Sequence, residues 1–234
     1  MAYLALCQRV ARRAAIAGAS SGKPDDVVGQ PERLQRICDY VAEAVREIET
    51  AHVDWTFMRP SIDFFVEARC GFVDPRDTHL DVLSLNENAV YGRTERWHQQ
   101  IVPMPWPAFR ERREVSRQPA AVNSLPSEFS VDPSGAIQLS PVSALPFVLR
   151  AECVVAPAVL TSSDDTPHIP ASHHDVIFYR ALALHYETDE AEFLMRTAEA
   201  RFAEWMGRLE ALYLPNNAWS RTHSPEQPLQ VWVD

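Results

Sequence analysis

The sequence predicts an α+β protein: a mainly helical bundle of two N-terminal and two C-terminal helices, with a β-rich insertion and an extended C-terminal tail. Three observations point there. Apolar residues recur at helical spacing near both ends of the chain. The middle alternates apolar and polar residues around a turn signal. Beyond Pro215 the chain is polar and proline-bearing. The predicted division assigns 1–58 and 161–214 to the helical bundle domain, 59–160 to the β-rich insertion and 215–234 to the tail.

Each element has its own reason. Within residues 2–17, Leu6, Val10 and Ala14 fall at intervals of four, with Arg9, Arg12 and Arg13 off that line. GASSGKPDDVVG then breaks the pattern. Pro31 is placed as the first residue of a second helix, where its missing N–H costs nothing. Leu34, Ile37, Val41, Val45 and Ile48 carry the stripe of that helix, expected from 31 to about 54, with Trp55 and Phe57 near its end. IDFFVEA, 62–68, reads as a strand. EFSVDPSGAIQLSPV, 128–142, reads as a hairpin, with Phe129 and Val131 before DPSG and Ile137 and Leu139 after it. FVLRAECVVA, 147–156, puts Phe147, Leu149, Ala151 and Cys153 on one strand face. Residues 71–127, rich in Pro, Arg and polar side chains, predict loops, short strands and one short helix around 107–114. Helical spacing returns over about 172–186, with Ile177, Ala181 and Leu184 on one face. It runs again through Leu194, Ala198, Phe202, Trp205, Leu209 and Leu212, stopping at Pro215. Trp55 and Trp205 are expected in the core.

With 234 residues, 46% apolar and 23% charged, the chain can bury a real core. Its 32 acidic and 22 basic residues give a net charge of -10, a poor basis for gripping nucleic acid phosphates. The acid excess concentrates in 161–214, where ten acids meet four arginines. No apolar run is long enough to span a membrane. The N-terminal apolar run is short and lacks a preceding basic segment, so no signal peptide is expected. Cys7, Cys38, Cys70 and Cys153 form no CxxC pair and read as free, mostly buried thiols in a reducing compartment.

The stretch TPHIPASHHDVIFYRALALHY holds four of the eight histidines: His168, His173, His174 and His185. Adjacent His173 and His174 point about 100° apart on a helix and do not chelate one ion easily. His174 and His185 lie three turns, about 16 Å, apart. A structural job fits better: SHHD, 172–175, has the form of a capping box, with Ser172 as N-cap and Asp175 at the third helical position. The competing reading is a small metal-dependent hydrolase using His168, His174, Asp164 and Asp165. GxSxG, Walker A and GxGxxG motifs are absent, and DPSG lacks the acidic ligands of a calcium loop. The expectation is therefore no catalytic residue, no metal and no cofactor, with no role assigned to His168. The tail is polar and proline-bearing yet carries Trp219, Leu229, Val231 and Trp232, residues that suit docking to a partner or a neighbouring copy. These four and His174 are the candidate partner or subunit contacts.

The order of these segments resembles the head-to-tail connector proteins of tailed bacteriophages, the portal-binding adaptor or neck proteins. LALCQRVARRAAIAG followed by VVGQPERLQRICDYVAEAVREIETAHVDWTFMR is similar to their amino-terminal part: a short helix, a glycine-bearing loop, a long helix and an acidic-Trp-x-Phe-hydrophobic-Arg run. That run is Asp54, Trp55, Phe57, Met58 and Arg59. GAIQLSPV resembles their second hairpin strand. DTPHIPASHHDVIFYRALALHY resembles the opening of their C-terminal helices, with Pro167, Pro170, His174 and Tyr179 to Leu182 in place. The resemblance covers residues 3–214. It implies a structural, non-enzymatic virion protein of the neck between capsid and tail, assembled in the bacterial cytoplasm. It further implies a homo-oligomer, a dodecameric ring beneath the portal protein. That ring would extend the channel for double-stranded DNA without specific binding and would carry the tail or further neck proteins. The alternative is an adaptor that scaffolds such a partner without forming a ring.

Overall fold

The structure, a computed structural model, describes residues 1–14, 23–78, 80–95, 98–115 and 125–215. Helices α1 (Tyr3–Arg13) and α2 (Glu32–Thr50) come first. Strands β1 (Ser61–Val66), β2 (Phe72–Val73), β3 (Val82–Arg93), β4 (His98–Gln100) and β5 (Val102–Pro103) follow. After helix α3 (Trp106–Val115) come β6 (Glu128–Val131), β7 (Ile137–Ser140) and β8 (Phe147–Val155), then α4 (Asp175–Thr188) and α5 (Glu192–Tyr213). The class is α+β, with helices at both ends of the chain and strands between them. Contacts group into two compact units, Met1–Phe57 with Ala158–Asp234, and Met58–Pro157.

The first unit is helical. In α1, Leu6 and Val10 are buried, and in α2 Leu34, Ile37, Val41, Val45 and Ile48, as the spacing of the apolar residues predicts; Cys7 and Ala11 are buried as well, while Ala14 is the half-buried C-cap residue after Arg13. Both boundaries of α2 differ from expectation. Pro31 stands at the N-cap in an extended conformation rather than inside the helix. The helix ends at Thr50, short of residue 54, because Trp55 folds back over its last turn. The Trp55 indole is fully buried and donates its Nε1–H at 2.9 Å to the Ile48 carbonyl, which also accepts the Ala51 N–H at 3.3 Å at the helix end.

Helix α4 packs against α1, α2 and α5. It buries Val176, Ile177, Phe178, Ala181, Leu182 and Ala183, and leaves Leu184 half-buried. The predicted capping box does not form. Ala171–His173 make a 3-10 turn, and His174 occupies the N-cap position with helical angles, φ -61° and ψ -9°. A side-chain cap needs an extended N-cap residue. Ser172 Oγ instead shares a hydrogen bond with His173 Nδ1 at 2.9 Å, and Asp175 pairs with Arg9 of α1. Helix α5 ends at Tyr213, just ahead of Pro215, as predicted. Its burial is thin: only Ala198 and Leu209 are buried, and Trp205, expected in the core, is half-buried because α5 packs chiefly on α4.

The second unit pairs two four-stranded sheets, ordered β1-β8-β3-β4 and β2-β7-β6-β5. Phe64, Val66, Leu149, Ala151 and Cys153 of the first sheet share one core with Phe129, Ile137 and Leu139 of the second. The inward alternation of β8 is as the sequence predicts, and so is the β6–β7 hairpin. In the hairpin turn, Asp132 Oδ1 accepts the N–H groups of Ser134 and Ala136, at 2.8 and 3.2 Å. Gly135 takes φ +91°, a conformation costly for any side-chain-bearing residue. The helix expected around 107–114 is α3, which buries Phe109. The expectation of only short strands in 71–127 fails: β3 has 12 residues and is the longest strand described. Its register against β8 shifts between Leu85 and Val90, where the polar run Asn86, Glu87, Asn88 interrupts the alternation a long strand would show.

Candidate partner-binding surface

The histidines divide among separate structural jobs. The anchor of their segment is Glu49, 1% exposed in the last turn of α2. Its carboxylate accepts the Ala158 N–H at 2.6 Å and the His168 N–H at 2.8 Å, pinning the incoming chain to α2. Burial pushes the Glu49 pKa up; the Ala158 N–H and the nearby His168 ring pull the other way and offset only part of the rise. His168 thus has a place, through its main-chain N–H, beside a buried acid.

His174 is 2% exposed. Its Nε2 meets the Ile169 carbonyl at 2.9 Å and its Nδ1 meets the Met1 amino group at 3.2 Å. An Nε2–H tautomer satisfies both, donating to the carbonyl and accepting from the ammonium. Burial holds the ring pKa below the ordinary value. Beside it, Arg9 pairs with Asp175 and lies 4.3 Å from the Phe178 ring centroid, fastening α1 to the first turn of α4. His173 turns the other way, edge-on to Tyr213 at 5.3 Å and Trp205 at 6.5 Å. His185 is tilted against Tyr40 and Tyr186, and burial lowers its pKa despite Asp189 at 3.6 Å. Asp165 is engaged in its own turn, accepting the N–H groups of Thr161 and Ser162 at 2.7 Å. Among the described residues, no group of three or more His, Cys, Asp or Glu side chains is placed to hold a metal ion.

Three apolar side chains of α5 stay open to solvent, with Phe193 about 100° around the helix from Leu194 and Leu212. Phe193, Leu194 and Leu212 are 80%, 46% and 66% exposed. A shallow groove of about 560 Å³ lies beside Phe193, lined also by Arg196, Thr197, Ala200, Arg201 and Glu204. The arginines on it are matched within the helix: Arg196 with Glu192 at 2.5 Å, Arg208 with Glu204 at 2.5 Å and Arg201 with Glu204 at 2.9 Å. Apolar side chains set among internally neutralised charges suit contact with protein better than contact with phosphate. The four arginines of 161–214 include Arg180, which is committed to Glu47 of α2 at 2.5 Å.

Of the candidate contacts, His174 is placed inside the helical unit, while Trp219, Leu229, Val231 and Trp232 lie outside the described residues. Phe193, Leu194 and Leu212 emerge as surface residues that spacing alone assigned to a packed stripe or passed over. One signal was available: Phe193, Leu194 and Met195 are consecutive, and three successive apolar residues exceed what one helix face can bury against a single neighbour.

Known proteins complete the picture. A search of curated proteins gave no match. A family model described as SU10 adaptor protein matches residues 1–228, nearly the full chain. Adaptors of this family are structural, non-catalytic proteins. No described helix is long and apolar enough to cross a membrane. The helical ends, the β-rich middle and the match across 1–228 carry one conclusion: the chain belongs to the SU10 adaptor protein family and is an adaptor of the phage head-to-tail connector.

Proposed function

We propose that copies of this chain close into a dodecameric ring beneath the portal protein. The ring lengthens the DNA channel in the virion neck and presents the platform for the tail or further neck proteins. The observation that carries this reading is the exposed apolar surface of α5. A helix of 22 residues that buries only Ala198 and Leu209 within its own protomer, and leaves Phe193, Leu194 and Leu212 uncovered, is built to be covered by another chain. A cyclic ring supplies such a cover in every copy, through a head-to-tail contact between two different surfaces. The charge balance supports passage of DNA without adhesion. Ten acids against four arginines in 161–214 give a surface that repels phosphates, and three of those arginines are paired along α5 itself.

Electron microscopy of the protein mixed with purified portal tests the reading. A ring with a central channel at one portal face is the expected result. Protein that stays monomeric beside the portal overturns it. A portal complex of defined mass without a closed ring favours the scaffolding adaptor instead.

A further inference from the structure

We propose that the outer edge of β1 accepts residues 229–233 of a second copy of this chain as an added strand. The inference rests on the ring reading above, which supplies the second copy.

The edge can be located from the ladder. The Pro60 carbonyl accepts the Cys153 N–H at 2.9 Å, and the register continues Ser61↔Glu152, Ile62↔Ala151 to Val66↔Phe147. Bonded and non-bonded pairs alternate in an antiparallel ladder. Ile62, Phe64 and Val66 therefore bond to β8, and the backbone groups of Ser61, Asp63 and Phe65 point away from the sheet. Among the described residues, no hydrogen bond takes those outward backbone groups. β1 is a sheet edge of six residues in unbroken register. The other edges are poorer templates: β2 and β5 have two residues each, β4 has three, and β5 includes Pro103. β1 itself contains neither Pro nor Lys and no bulge, and its one charge, Asp63, is paired with Arg150 of β8. Phe65 is 73% exposed and stands in register with Val148, an apolar row that a further side chain would extend.

The chain carries a segment of matching pattern. In PLQVWVD, Leu229, Val231 and Val233 alternate with Gln230 and Trp232, the period of a strand. Pro228 stands just before it, at a position where a strand tolerates proline. From Pro215, where α5 has ended, to Leu229, an extended chain reaches on the order of 45 Å, enough to leave one protomer for its neighbour.

The test uses the full-length chain assembled with portal, in a Cys70→Ser background, since Cys70 is the native cysteine that is not buried. Phe65→Cys protein is mixed with Val231→Cys protein, and separately with Trp232→Cys protein, then assembled and oxidised. One of the two mixtures is expected to give a disulfide-linked dimer and the other not, because neighbouring strand residues face opposite sides. Asp63→Pro removes an outward N–H without touching the β8 ladder and should abolish the cross-link. Asp63→Ala, which loses the same ion pair to Arg150 but keeps the N–H, should retain it. Amide exchange at 61, 63, 65 and 229–233 should slow together on assembly. Rings that form without any cross-link overturn the strand addition alone. So does a cross-link confined to one chain carrying both cysteines, or one made to the portal. A cross-link between copies in an assembly that is not a ring keeps the strand addition and overturns the ring. Absence of both assembly and cross-link overturns both.

Discussion

Helices α2 and α5 are similar in length, 19 and 22 residues, and both carry apolar residues at helical spacing, yet they meet different fates. α2 buries Leu34, Ile37, Cys38, Val41, Ala44, Val45, Ile48 and Glu49, because α1 and α4 both lie against it. α5 buries Ala198 and Leu209 and shows Phe193, Leu194 and Leu212 to solvent. Apolar periodicity therefore says that a helix face wants cover. It does not say whether the cover comes from the same chain or from another one. In an adaptor that difference separates the part of the molecule that makes the fold from the part left over for assembly.

The comparison predicts where mutations hurt. Trp55→Ala removes a fully buried indole and its bond to the end of α2; it should cost about 3–5 kcal/mol. Ile37→Ala, also fully buried, should cost about 2–5 kcal/mol. Denaturant titration followed by far-ultraviolet circular dichroism reads both. A loss below about 1 kcal/mol for either would mean that the α2 face is not the packed one.

Glu49 gives the next largest effect. Glu49→Ala leaves the Ala158 and His168 N–H groups without their buried acceptor, for a loss of about 1–3 kcal/mol. The amides of 158 and 168 should also exchange faster, which a uniform loss of stability would not single out.

Acidity separates the buried groups by sign. Burial lowers the folded pKa of His174 and His185, so their contribution is full above the ordinary histidine value of about 6.5 and is lost as pH falls through their folded values. Burial raises the folded pKa of Glu49, so its contribution is full below about 4.3 and is lost as pH rises through its folded value. On acidification from neutrality the histidines weaken the fold while Glu49 moves the other way. His185→Gln should flatten the decline of the urea midpoint below pH 6.5, and Glu49→Gln should steepen it at lower pH. The same slope in all three proteins would refute the assignment.

What could be read from the sequence follows the range of the forces involved. β8 and the Asp132–Gly135 hairpin were legible because alternation and turn chemistry are local. The α+β order was legible because the two periods differ. β3 was not, since Asn86, Glu87 and Asn88 sit where its register slips and erase the alternation. The supposed capping box failed because Asp175 answers to Arg9, which is distant in sequence. The lodging of His174 between Met1 and Ile169, and of the His168 N–H on Glu49, depends on tertiary neighbours that no local pattern names. The uncovered face of α5 was half-legible: its apolar content was plain, its lack of a second covering layer was not.

The smallest expected effect on the protomer is the one that bears most directly on assembly. Phe193 is 80% exposed and Leu212 66%, so replacing either with serine removes little buried area; each change should lie within about 0.5 kcal/mol of the parent. Arg196→Ala should be as mild, because the Arg196–Glu192 pair is an exposed i,i+4 pair. If α5 is the assembly face, the Phe193→Ser, Leu212→Ser double variant should match the parent in denaturation and fail to form rings with portal. The Arg196→Ala protein should still form them. Two results would reverse the reading of α5: a double variant that assembles normally, or one that loses stability as heavily as Ile37→Ala. The first would leave the apolar face without a partner, and the second would show that it is covered within the protomer after all.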